Sequence, residues 1–183
     1  DPPADPDAAG GGTTRENDVE AQVRPDGAVV VRQWIRSDDP LRRLVLAVPT
    51  LPDGAPVSAR RLQVVADGVP VDGVRRIGAA GATFDLDDAS TVRLAYVLRG
   101  TVQVSDPETG RALVLSTSLE VSYGPRPEQE TRAVLAPTVL SLAGAPQGSD
   151  VLEPCGPQSG GRWTVELTGD RTGDRVAAVV DLR

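Results

Sequence analysis

Thr91-Val92-Arg93-Leu94-Ala95-Tyr96-Val97-Leu98-Arg99-Gly100 is the stretch that decides the fold. Val92, Leu94, Tyr96 and Leu98 occupy every second position, with Thr91, Arg93 and Arg99 on the other side. Successive side chains of a strand point to opposite faces, so this pattern predicts a strand with one face in a core and one in water. The apolar alternation continues past Gly100 into Val102 and Val104. Residues 106–110 (Asp-Pro-Glu-Thr-Gly) read as a loop to a partner strand that sets Leu113, Leu115, Leu119 and Val121 on one face, which predicts a long hairpin.

Toward the N-terminus, Val19, Ala21 and Val23 alternate with Asp18, Glu20, Gln22 and Arg24. Arg24-Pro25-Asp26-Gly27 supplies a turn, with Pro presetting φ and Gly free to take positive φ, before the run Val29-Val30-Val31 through Trp34-Ile35. Residues 44–48 form a short apolar strand closed by Pro49, and a further strand is predicted at 59–66. Asp67-Gly68 is a tight-turn dipeptide, and Pro70, which has no N–H for a ladder, marks the next strand as an edge. Beyond the Gly124-Pro125-Arg126-Pro127 loop, strands are expected around residues 133–142, at Trp163-Val165-Leu167, and at 175–182, the last two joined by residues 169–173.

No window of ten residues holds apolar groups at helical spacing. About ten short strands with frequent turns predict an all-β chain, an antiparallel β-sandwich that is Ig-like or built of two packed sheets, with little helix. Residues 1–16, acidic and rich in Pro and Gly, lack the apolar content to offset ordering entropy and read as a flexible tether. Residues 17–183 form the β-domain, with two small subdomains divided near 105–130 as the alternative.

Composition narrows the chemistry. The chain has 183 residues with 26 acidic and 19 basic, a formal charge of -7, which opposes phosphate backbones and argues against nucleic acid. There is no His. That removes Ser-His-Asp, Cys-His and His-based zinc sites together. Five aromatic residues are too few to line a sugar-cleaving cleft between paired carboxylates. Neither an enzyme nor a cofactor is expected. No apolar run approaches the ~20 residues of a membrane-spanning helix, so the chain is expected to be soluble. The absence of Met and the polar opening segment suggest the exported portion of a longer protein, with membrane anchors beyond it.

Three motifs admit a functional reading beside a bland one. Asp85, Asp87 and Asp88 offer carboxylates for calcium, although the simpler reading is an acidic turn after Phe84. Cys155 could bridge to another chain, or be an idle thiol without a His or Lys beside it to activate it. The pairs Arg42-Arg43, Arg60-Arg61 and Arg75-Arg76 could converge on an anion, but rim ion pairs are the plainer expectation. Trp34 and Trp163, each in an alternating strand, are expected in the core rather than on a sugar platform.

The hairpin through Asp26-Gly27-Ala28-Val29-Val30-Val31, the strand end Leu46-Ala47-Val48-Pro49, the Leu94–Gly100 segment and the late Cys155-Gly156 together resemble the β-rich N-terminal ectodomain of a family of uncharacterised bacterial membrane proteins. The resemblance implies an extracytoplasmic location and membrane spans beyond Arg183, with no functional residues attached. The function expected is a non-catalytic cell-envelope domain that binds or assembles with a protein partner. The alternative is a ligand-binding module for cell-wall glycan or a divalent cation.

Overall fold

The computed structural model describes residues 15–106, 110–124, 126–146, 149, 151–156, 158, 159 and 162–183, so the expected tether lies, for residues 1–14, outside the described residues. The N-terminal alternation forms β1 (Glu16–Val23), and the Asp26-Gly27 turn, with Gly27 at φ 73°, returns the chain as β2 (Val29–Ala47). β2 absorbs both the Val29–Ile35 run and the 44–48 stretch in one strand, with its register against β6 shifting between Arg36 and Arg43. Next come β3 (Ser58–Ala66), β4 (Val69–Pro70), β5 (Arg76–Ile77) and β6 (Ala82–Arg99). Asp67 and Gly68 both hold positive φ, at 45° and 81°, as a tight hairpin between β3 and β4 demands.

β7 (Val102–Asp106), β8 (Arg111–Val114), β9 (Glu120–Ser122), β10 (Gln129–Leu135), β11 (Thr138–Ala145), β12 (Glu153–Pro154), β13 (Gln158–Ser159), β14 (Arg162–Thr168) and β15 (Arg175–Asp181) complete the order. One 3₁₀ turn, Gly169–Arg171, precedes β15. The large sheet runs β13-β14-β10-β1-β2-β6-β3-β4, with β5 beside β3 and β9 beside β2. The small sheet runs β12-β11-β15-β8-β7. Pairing is antiparallel throughout except for β1 beside β10, which is parallel. The chain is all-β with two packed sheets, and Pro70 sits at the end of the large one.

Two predicted strands prove to be pairs that change sheet. The expected hairpin across Gly100 splits: β6 belongs to the large sheet and β7 to the small one. Gly100 makes the corner, at φ 90°, where an added Cβ would lie 2.2 Å from the Pro56 carbonyl oxygen. The strand expected at 133–142 is β10 in one sheet and β11 in the other, parted at Ala136-Pro137, where proline removes a ladder donor. On β8, Ala112 and Val114 face the core while Leu113 is half-buried, so the inward phase is the one opposite to that expected.

Both sheets feed one core, in which Val31 and Leu98 of the large sheet cluster with Val114 and Val180 of the small one. Between β8 and β9 the chain crosses from the small sheet back to the large one. Residues 115–119 carry it back from β8 to β9 and are buried along their whole length.

Candidate functional site

On the core side of β10, β1 and β2, four polar side chains occupy positions where the surrounding strands place aliphatic ones. In register, Glu130 sits beside Asn17 and Asn17 beside Ile35; one row on, Arg132 sits beside Val19 and Val19 beside Gln33. Glu130 is 1% exposed, Gln33 2%, Asn17 6% and Arg132 7%. Burying such groups is costly unless they are paired, and they are. Arg132 donates from Nε to Glu130 Oε1 at 2.5 Å, and Gln33 Nε2 donates to Asn17 Oδ1 at 2.8 Å.

The opposing wall comes from two irregular segments. The crossing segment at 115–119 offers Ser118, whose Oγ accepts from Arg132 Nη1 at 2.6 Å, and Ser116, whose Oγ donates to the Ser118 carbonyl at 3.1 Å. The turn before β15 offers the Gly173 N–H, which donates to Glu130 Oε2 at 2.8 Å. Beneath them the Leu119 N–H donates to the Tyr96 hydroxyl oxygen at 3.0 Å. These walls enclose a cleft of about 690 Å³, lined also by Leu51, Tyr123, Arg126, Asp174 and Arg175.

Two polar atoms in this lining are buried without a partner among the described residues: Gln33 Oε1 and the Tyr123 hydroxyl. Burial first, and the Glu130 charge second, push the Tyr123 hydroxyl well above its ordinary value, so it stays protonated and offers a donor. An amide oxygen that accepts and a phenol that donates are thus left unpaired on two residues that line one cavity.

The motifs singled out in the sequence fall elsewhere. Asp85, Asp87 and Asp88 form no turn: they lie within β6, where Phe84 and Leu86 point inward and the three carboxylates outward. Asp88 is engaged by Arg42 Nε at 2.6 Å, and the described residues include no group of three metal-ligating side chains. Cys155 is half-buried, with its N–H bonded to the Leu142 carbonyl; burial pushes its thiol up, and nearby Arg171 only partly opposes this. All six residues of the arginine pairs are exposed, and only Arg42 makes an ion pair among the described residues. Trp34 is not a core residue. It stands half-buried on the outward face of β2, opposite Asp18, because Gln33 and Ile35 take the inward positions. Trp163 packs against the core from β14, on the other face of the sheet, so the two indoles share no platform.

By sequence the chain matches no protein family and no curated protein. By fold it is similar to an aminopeptidase N family protein from Idiomarina loihiensis, with 13% identity and a TM-score of 0.52, over 90% of this chain and 29% of that one. An M1 zinc metallopeptidase from Deinococcus radiodurans is similar more loosely, at 17% identity and TM-score 0.38 over 90% and 42% of the two chains. So is a candidate nutrient-binding protein from Legionella pneumophila, at 10% identity and TM-score 0.44 over 92% and 66%. The chain spans less than half the length of either peptidase. The first likeness concerns the fold alone.

The likeness to the aminopeptidase N family protein replaces the resemblance to membrane-protein ectodomains, which its name does not mention. The residues that carried it encode structure any sheet demands: Asp26-Gly27 is a hairpin turn, and Leu94–Gly100 is the end of a central strand with its corner.

Proposed function

We propose that this chain is a non-catalytic, extracytoplasmic binding domain of a larger protein, and that the cleft between its two sheets holds a polar group of the partner. The observation that carries the reading is the pair of buried atoms without a partner among the described residues, Gln33 Oε1 and the Tyr123 hydroxyl, on residues that line the same cavity. A polar atom left unpaired in a protein interior costs about 1–3 kcal/mol, and a ligand carrying one donor and one acceptor would recover that cost on binding. The remaining polar groups are tied to one another, which suits a rigid receptor more than a site that must move protons.

The non-catalytic part of the reading rests on residue types. The H-E-x-x-H helix of zinc peptidases needs two His on one face, and this chain has none. Location outside the cytoplasm rests on the acidic, Pro-rich and Gly-rich opening segment, and cell fractionation of the tagged native protein tests it directly.

For the cleft, Tyr123→Phe and Gln33→Leu are the decisive variants. Tyr123→Phe removes only an unsatisfied atom, so the unliganded protein should keep its stability or gain up to about 1 kcal/mol in urea unfolding, whereas Gln33→Leu also takes the donor from Asn17 Oδ1 and should cost about 1–3 kcal/mol. The same variants should lose the thermal stabilisation that a screen of amino acids, short peptides and oligosaccharides produces in the wild type. A Tyr123→Phe variant strongly destabilised without any ligand would mean that its hydroxyl already has a partner, and the reading would fall.

A further inference from the structure

We propose that the arginine edge built by β3 and β5 is a docking surface for an acidic segment of a partner polypeptide. It lies apart from the cleft and does not depend on it. Arg60 of β3 and Arg76 of β5 are direct cross-strand partners. The adjoining pair, Ala59 and Ile77, is buried, so alternation turns both guanidiniums to the outward face together. Like charges directly opposite one another are unfavourable in a sheet.

Two more arginines join them. Arg61 follows at a register shift of β3, in the left-handed region at φ 56°. The carbonyl of Arg75 accepts the Leu62 N–H at 3.0 Å, which brings the Arg75 backbone alongside. All four side chains are exposed, and none has an ion-pair partner among the described residues. Several other outward arginines are matched: Arg32 and Arg162 to Glu20, Arg36 to Glu16, Arg99 to Asp26, whereas the exposed Arg24, Arg43 and Arg111 stand singly on other elements. In a chain of net charge -7, four unmatched guanidiniums at one edge form a local field of the opposite sign.

The neighbours of this edge select the class of partner. Along the outward row that holds Arg60, Val97 of β6 and then Val30 of β2 stand half-buried. Apolar contact flanked by arginine forks suits carboxylates carried on a polypeptide. The overall negative charge opposes either polyanion, but a polyphosphate carries no apolar group to set against Val97 and Val30.

The test is fluorescence anisotropy with a labelled octaglutamate peptide, and with inorganic polyphosphate of similar charge as the second arm. Wild-type protein should bind the peptide in low salt and lose it as salt rises. Arg60→Gln with Arg76→Gln should weaken binding about tenfold or more, while Arg32→Gln, on the same face but paired to Glu20, should change it less than about twofold. The Arg60/Arg76 variant should melt no lower than wild type, because it relieves a repulsion. The Gln33→Leu variant should bind the peptide normally, which separates this surface from the cleft. Absence of peptide binding in low salt, equal losses in the Arg32→Gln control, tighter arginine-dependent binding of polyphosphate, or arginine-dependent self-association in sedimentation would each overturn the proposal.

Discussion

The inward and outward faces of β10, β1 and β2 are made by alternate residues of the same strands, yet they handle charge in opposite ways. Inward, Glu130 and Arg132 meet each other at 1% and 7% exposure, and each takes one further bond, to the Gly173 N–H and to Ser118. Outward, Glu16, Asp18 and Glu20 face Arg36, Trp34 and Arg32 across the β1–β2 ladder, with the ion pairs at 3.3 and 3.6 Å in partial contact with water. Distance from solvent, not residue type, sets what each pair contributes. In water a broken pair is rehydrated; in the cleft wall a survivor has nowhere to go.

Breaking the inner pair should give the largest effect. Glu130→Leu strands a guanidinium in the interior, and loss of one partner of a buried pair costs about 3–5 kcal/mol. Adding Arg132→Met should recover part of that loss, since an apolar pair of similar volume is often as stable as the ionic one. Recovery would stop short of complete, because the Gly173 N–H and the Ser118 hydroxyl lose their partners, at about 1–3 kcal/mol each when buried. Urea unfolding of the three variants measures all of this. A double variant no better than Glu130→Leu alone would show that the pair's value lies in the bonds to the walls.

Next in size is the corner that lets both faces exist. Gly100→Ala must place a methyl 2.2 Å from the Pro56 carbonyl and hold alanine at φ 90°. That strain alone is worth about 1–3 kcal/mol, and the loss should appear in the same unfolding assay. The outer pair is smaller still: Glu20→Ala releases two partly exposed arginines, Arg32 and Arg162, and should cost about 1 kcal/mol or less, shrinking with added salt. A salt-insensitive loss matching that of Glu130→Leu would erase the distinction between the faces.

How far this could be read from sequence follows the same division. Period-two alternation identified β1, the second half of β6 and β14 with their outward charges, because solvent exposure tolerates the polar residues that make alternation visible. The sheet changes at Gly100 and Pro137 were not legible, since apolar alternation continues across both points and only tertiary contacts, such as Pro56 against Gly100, reveal the corner. The cleft was missed for a related reason. Asn17 and Gln33 fall on the inward phase of strands whose other inward residues are aliphatic, and Glu130 and Arg132 fall on the phase of Val134. Polar residues at core phase are the signal that existed, but a phase is assigned only after the register is known. The carboxylates at 85–88 drew attention as a cluster in sequence, whereas β6 spreads them along an exposed face.

The smallest expected effect separates two aspartates on opposite sides of the usual rule for carboxylates. Asp18 is half-buried beside Trp34, and burial raises its pKa, with the Thr131 hydrogen bond opposing. Asp67 sits at the β3–β4 turn, where the N–H groups of Thr91 and Ser90 hold its carboxyl below the ordinary value. A raised folded-state pKa means the native protein holds its proton more tightly than the unfolded chain, so stability falls as pH rises from the ordinary carboxylate value through the raised one. A depressed pKa works in reverse: stability is present above the ordinary value and is lost as pH falls through the depressed one. Asp18→Asn keeps an acceptor for Thr131 and should therefore be no less stable than wild type at neutral pH, with any gain vanishing near about pH 4. Asp67→Asn should be less stable at neutral pH, and its deficit should shrink in acid. Urea unfolding of both variants across this range decides the matter: were Asp18→Asn to lose stability at neutral pH and regain it in acid, its carboxylate would be a favourable partner of Arg36 and not a desolvated group beneath Trp34.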